Sequence, residues 1–177
     1  RTQVQPGDLC IDATAGNGHD TALLCQPTGP TGQVLAFAIQ EKALSSARRR
    51  LDALGLSDNC RLILDSHEFM GNYAAPESVS CITFNLGYLP GSDHRTSTHA
   101  ASTLRALASG LSLLKPGGLM TVCIYSGRDT GFEERDAVLS FVRTLDSRKY
   151  LVIQSEYVNR PNHPPIPVLI IRLPPNP

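Results

Sequence analysis

Apolar positions along this chain follow two periods in turn. Runs with strand character stand at 8–13 (DLCIDA), 32–39 (GQVLAFAI), 60–65 (CRLILD), 78–87 (SVSCITFNLG) and 119–126 (LMTVCIYS). Each is short and largely apolar, and turn formers flank most of them. Helical spacing fills the intervals. A short helix capped near Asp20 follows the first run, and Ala43, Ala47, Leu51 and Leu54 share one face of 43–55, with Gly55 as C-cap. Ala100, Leu104, Leu107, Leu111 and Leu114 mark a helix from Thr96 to Leu114, ended by KPGG at 115–118. Phe132, Val138, Phe141, Val142 and Leu145 mark another over 132–145. Two last runs, 150–158 and 166–173, are joined by a proline-rich link too short for a crossover helix. That pair is therefore expected to form an antiparallel hairpin.

Alternation of this kind predicts a doubly wound, mostly parallel, seven-stranded α/β sheet with helices on both faces. The closing hairpin adds the mark of the class I methyltransferase (Rossmann-like) architecture. At 177 residues a single domain, 1–177, is expected. No repeat or low-complexity segment interrupts it. The chain opens at Arg1 without a methionine, just before the first strand, so a trimmed chain lacking an N-terminal helix is expected.

Composition narrows the function classes. Sixteen Lys and Arg balance sixteen Asp and Glu, so no global field draws the chain to nucleic acid or anionic membrane, although a local basic patch stays open. Five cysteines with irregular spacing and no CxxC pair read as free thiols in a reducing compartment, not as disulfides or a metal site. Without an apolar run of about 18 residues, a cytoplasmic protein with no membrane partner is expected. Ser126 sits in no G-x-S-x-G elbow, which disfavours a hydrolase.

Ligands of open α/β sheets lie over the carboxyl ends of the strands, which directs attention to DATAGNGHDT, 12–21. A dinucleotide fingerprint would need a third glycine where Thr21 stands, and a Walker A loop would need a lysine that is absent. Asp12 and Asp20 would repel pyrophosphate, yet they suit a ligand with a sulfonium and an amino group. S-adenosyl-L-methionine is such a ligand. Asp12, Gly16, Asn17, Gly18, His19, Asp20 and Thr21 are thus candidates for a clamp on its methionine end. The plainer alternative is a tight turn that needs glycine for positive φ.

A wider set of blocks carries a family resemblance. DATAGNGHDT, FAIQ (37–40), LDSHE (64–68), FNLGYLPGSD (84–93), LLKPGG (113–118), YSGRDTGFEE (125–134) and NRPNHPP (159–165) stand in one order. In these the chain resembles a bacterial rRNA-methylase family assigned as tRNA 5-aminomethyl-2-thiouridine methyltransferases, and the likeness covers nearly all of it. The resemblance implies methyl transfer from S-adenosyl-L-methionine to the 5-aminomethyl group of 2-thiouridine at the wobble position, with the tRNA anticodon loop as partner. It also implies that Ser66 and His67 line the cofactor. Two positions depart from the family pattern. The acid of F-D-I-Q, which would accept from the ribose hydroxyls, is Ala38, with Gln40 and Glu41 as nearby substitutes. The histidine of Y-x-G-H is Arg128.

The remaining candidates follow from strand ends. Asp65 or Ser66, after the third strand, is placed to meet an adenine amino edge. In NLGYLP (85–90), which is similar to the N-P-P-Y motif of amine methyltransferases, Asn85 would orient the amine and Tyr88 would stack on it. Asp93 is the nearest candidate base. Arg95, Arg128 and Arg160 lie in loops where they could hold phosphates around one splayed base, and Asn159 and Asn162 could contact that base. Arg48–Arg50 reads as a solvated helix face, and His19, His94, His99 and His163 as loop or surface residues with no shared metal spacing. A small-molecule N-methyltransferase and a binding module without catalysis remain as alternatives, and a homodimer stays open.

Overall fold

The computed structural model describes residues 3–87, 99–126 and 131–175. Its strands are β1 (Leu9–Asp12), β2 (Gln33–Ala38), β3 (Cys60–Leu64), β4 (Val79–Leu86), β5 (Leu114–Ile124), β6 (Tyr150–Gln154) and β7 (Ile166–Arg172). The helices are α1 (His19–Thr28), α2 (Glu41–Leu54), α3 (Ala100–Leu113) and α4 (Gly131–Arg143). A single sheet runs β3-β2-β1-β4-β5-β7-β6, parallel from β3 to β5 and antiparallel at β7 and β6. This is the class I methyltransferase order. Strand order reverses at β1, which pairs with β2 on one side and β4 on the other. A crevice opens at such a switch point.

Neighbouring strand residues divide between two cores, as a period of two requires. Ile11, Leu35 and Ile82 join the larger cluster with Phe37, Phe84 and Met120, against α3 and α4. Their neighbours Cys10, Val34 and Cys81 face the other way, toward Leu24 and Cys25 of α1 and Leu51 of α2. Among the described residues no helix is long and apolar enough to cross a membrane.

The structure differs from the sequence expectation at four points. First, the helix ends at Leu113 and KPGG lies within the strand that follows: β5 begins at Leu114, opposite Val79, and resumes with Leu119 opposite Cys81. The intervening residues bulge out beside Ser80, and Gly117 takes φ 80° there. Second, Leu54 is 52% exposed, because the helix ends before that face turns back to the sheet. Third, the sixth strand stops at Gln154, and Tyr157 and Val158 stand exposed beyond it. Fourth, a 3-10 helix, His67–Asn72, follows β3, with the Ser66 hydroxyl accepting from Glu68 N at its start. Its six residues are too few to show a period.

Candidate functional site

The loop between β1 and α1 is shaped from behind. Gly16 and Gly18 have φ 48° and 79°, a left-handed conformation that side chains resist. Gly18 has a second constraint, since a Cβ there would lie 2.8 Å from the Ala47 Cα of α2. Its glycine therefore admits a neighbouring helix. Ala15 N donates to Phe37 O at 2.9 Å, and Gly18 N donates to Ala15 O at 2.7 Å, which fastens the loop to the end of β2. Asp12 is fully buried beneath it, accepting from Thr21 Oγ1 at 2.6 Å and from Thr14 N at 3.1 Å. Burial raises its pKa to about 6, against the pull of those hydrogen bonds.

In front of the loop lies a cavity of about 1010 Å³ at the carboxyl ends of β1, β2 and β4. Gly16, Asn17, His19 and Asp20 line it, whereas Asp12, Gly18 and Thr21 do not. Asp20 accepts from Asn85 Nδ2 at 2.6 Å, and Asn85 N donates to Thr14 Oγ1 at 2.7 Å. Those two bonds join the first loop to the end of β4. Gln40 caps α2 at the cavity edge beside Ala38 and Ile39.

After β3, Asp65 is held on both oxygens, by Ser66 N and by the Tyr73 hydroxyl, each at 2.8 Å. Glu68 pairs with Arg105 Nε at 2.6 Å, which lowers its carboxyl pKa. His67 is buried, not on the surface, with Nδ1 3.3 Å from Ala13 O. Burial pulls its pKa down, so the ring is neutral, and its Nε2 has no hydrogen-bond partner among the described residues. Asp20, Asp65 and Glu68 all line the cavity, and no lysine or arginine does so among the described residues.

The opposite wall comes from distant segments. Leu86 and Gly87, His99 and Ser102, Tyr125 and Ser126, and Asn162 and His163 meet there. A bond with Cys123, together with burial, pushes the Tyr125 hydroxyl up to about 12. Asn162 and His163 hold φ values of 64° and 52°, unusual for residues with side chains. The His163 ring meets Phe132 edge-on at 5.4 Å.

Among the sequence candidates, Asn17, His19, Asp20, Gln40, Asp65, Ser66, His67 and Asn85 thus share one cavity. Asn159 and Arg160 are exposed and do not line it. Tyr88, Asp93, His94, Arg95 and Arg128 lie outside the described residues. His99 and His163 are exposed loop residues, as the sequence suggested, and they also border the cavity. One reading is corrected. Arg50 is half-buried and bonded to the first loop, not solvated, because it follows Ala47 by one helical turn. That spacing was the signal that could have found it. Among the described residues no group of three His, Cys, Asp or Glu is placed to hold a metal ion.

Comparison with known proteins places this geometry. The family model described as "Putative rRNA methylase" matches residues 34–171. A Clostridium thermocellum protein described as "putative rRNA-methylase" has a similar structure, with TM-score 0.93 and 44% identity over 96% of this chain and 91% of its own. A Streptococcus mutans "putative methyltransferase", solved in complex with SAH, gives TM-score 0.87 and 37% identity over 96% and 91%. The Arabidopsis thaliana protein named "tRNA (mnm(5)s(2)U34)-methyltransferase, chloroplastic" is 36% identical over 171 residues, or 91% of this chain. This chain spans 62% of that relative's length.

Proposed function

This chain belongs to the rRNA methylase family, and on that premise we propose that it is an S-adenosyl-L-methionine-dependent methyltransferase acting on the amine of 5-aminomethyl-2-thiouridine at the tRNA wobble position. The observation that carries the cofactor assignment is the charge of the cavity: Asp20 and Asp65 line it, with Glu68 paired to Arg105 at its edge, and no lysine or arginine lines it among the described residues. Such a lining repels pyrophosphate and suits a cation. The Streptococcus mutans relative holds the demethylated product, SAH.

The residues present fit the cofactor chemically. Asp20 is the counter-ion for its amino group, Gln40 serves the ribose edge in place of the acid absent at Ala38, and Phe37, Ile39 and Ser66 flank the adenine side. When bound, the cofactor supplies an electrophilic methyl group on sulfonium. Everything else falls to the protein.

Asn85 is the residue that orients the acceptor. Its Nδ2 is committed to Asp20, which fixes the amide and leaves Oδ1 as an acceptor for an amine N–H. Holding the amine by its hydrogen aims the nitrogen lone pair and supplies catalysis by orientation. The acceptor is an alkylamine that is protonated in water, so only its minor neutral form can react.

The tRNA substrate is supported by the name of the Arabidopsis relative and by the sequence blocks shared with its family. Incubating the chain with S-adenosyl-L-methionine and tRNA that carries 5-aminomethyl-2-thiouridine tests it. Nucleoside mass spectrometry should show conversion to the 5-methylaminomethyl form. Cofactor binding without that conversion would reject the tRNA assignment and leave a small-molecule amine as acceptor.

A further inference from the structure

Arg50 lies on α2, outside the cavity, and yet it holds the cavity's first loop. Its Nε donates to Asn17 O at 2.9 Å, and its Nη2 lies 2.8 Å from His19 Nε2. A guanidinium can only donate, so His19 Nε2 carries the lone pair in this arrangement. Asn17 and His19 both line the cavity, whereas Arg50 does not. One turn earlier on the same helix, Ala47 fills the space that Gly18 leaves open. Helix α2 thus grips three consecutive residues, Asn17 through His19 at the start of α1, from the side away from the ligand.

Packing alone does not require this. Ala47 closes the helix–loop contact without a polar group, and Arg50 adds a fork of two donors. A fork fixes direction as well as distance. It sets the peptide of Asn17 and the ring of His19 at the cavity wall, beside Asp20. We propose that Arg50 is a positioning residue for the methionine end of S-adenosyl-L-methionine, acting through Asn17 and His19 with no contact of its own. The inference rests on the cofactor assignment above.

The test compares two probes by titration calorimetry on wild type, Arg50→Ala and Arg50→Lys. SAH has the methionine end, and 5′-methylthioadenosine lacks it. Losing the fork in Arg50→Ala should weaken SAH about tenfold, the size of one hydrogen bond to a charged group. Binding of 5′-methylthioadenosine should stay unchanged. Arg50→Lys keeps one donor and should fall between wild type and Arg50→Ala, which also serves if the alanine variant unfolds. A general structural role would weaken both probes alike and overturn the proposal, as would unchanged SAH affinity in both variants. If wild type binds neither probe, the cofactor assignment itself fails, and the inference falls with it.

Discussion

The two walls of the cavity are built on different plans. The wall at β1, β2 and β3 comes from short stretches that directly follow strands, and backbone hydrogen bonds fasten it: Ala15 to Phe37, and Gly18 to Ala15. The facing wall draws on the end of β4, the start of α3, the end of β5 and the β6–β7 connection. The first wall is written in short motifs that follow its strands, although longer-range bonds also fix it: Ala15 to Phe37, Asn17 and His19 to Arg50, and His67 to Ala13. The second exists only once the sheet has brought four distant segments together. On our reading this division follows function: the cofactor side presents a constant ligand, and the acceptor side selects a substrate.

Asn85 joins the two walls, and changing it should have the largest effect. Asn85→Ala is expected to lower kcat by roughly 10²- to 10³-fold, the loss typical of an orienting polar group. SAH affinity should change only a few-fold, since Asp20 keeps its charge. Steady-state kinetics with calorimetry check this, and retained kcat would remove Asn85 from the acceptor side.

A second change strikes the cofactor wall from behind. Gly18→Ala puts a Cβ against Ala47 and leaves a side chain at φ 79°. Overpacking should lower stability by about 1–3 kcal/mol in urea unfolding, with weaker SAH binding as the loop shifts. An unchanged midpoint would show that α2 yields freely, and that the wall is less fixed than its hydrogen bonds imply.

Asp12 predicts a pH effect on the same wall. Its pKa is about 6 in the folded chain against 3.8 ordinarily. Between those values the folded chain binds more protons than the unfolded one, so this contribution is full below about 3.8 and is lost as pH rises through about 6. Relative to Asp12→Asn, wild type should lose roughly 1–3 kcal/mol across that window. Parallel stability curves for the two proteins would contradict the burial argument. The smallest effect is expected at Ala38→Asp, which restores the acid that the family pattern carries. SAH should bind about three- to tenfold more tightly. No gain would mean that Gln40 already satisfies the ribose edge.

Legibility in the sequence follows the same division. The strands and their mostly parallel pairing were readable because apolar runs and turn residues are local signals, and the short link before β7 left only a hairpin. DATAGNGHDT was readable as a loop at the carboxyl ends of the strands for the same reason, and four of its candidate residues border the cavity. Its internal roles were not. Asp12 and Thr21 look like ligand groups in the sequence, but Asp12 is fully buried and bonded to Thr21 beneath the loop. Gly18 looks like a concession to a ligand, and its tightest constraint is Ala47. Both facts depend on what packs behind the loop. Asn162 and His163 gave no periodic signal at all. They sit between Pro161 and Pro164 in left-handed conformations, and only the closed sheet shows that they reach the cavity.

On our reading this cavity takes a cationic, phosphate-free nucleoside. Titrating the wild-type chain with S-adenosyl-L-methionine and, under the same conditions, with NAD tests it most directly. Saturable binding of S-adenosyl-L-methionine and none of NAD is the expected result. Binding of NAD with no binding of S-adenosyl-L-methionine would contradict it.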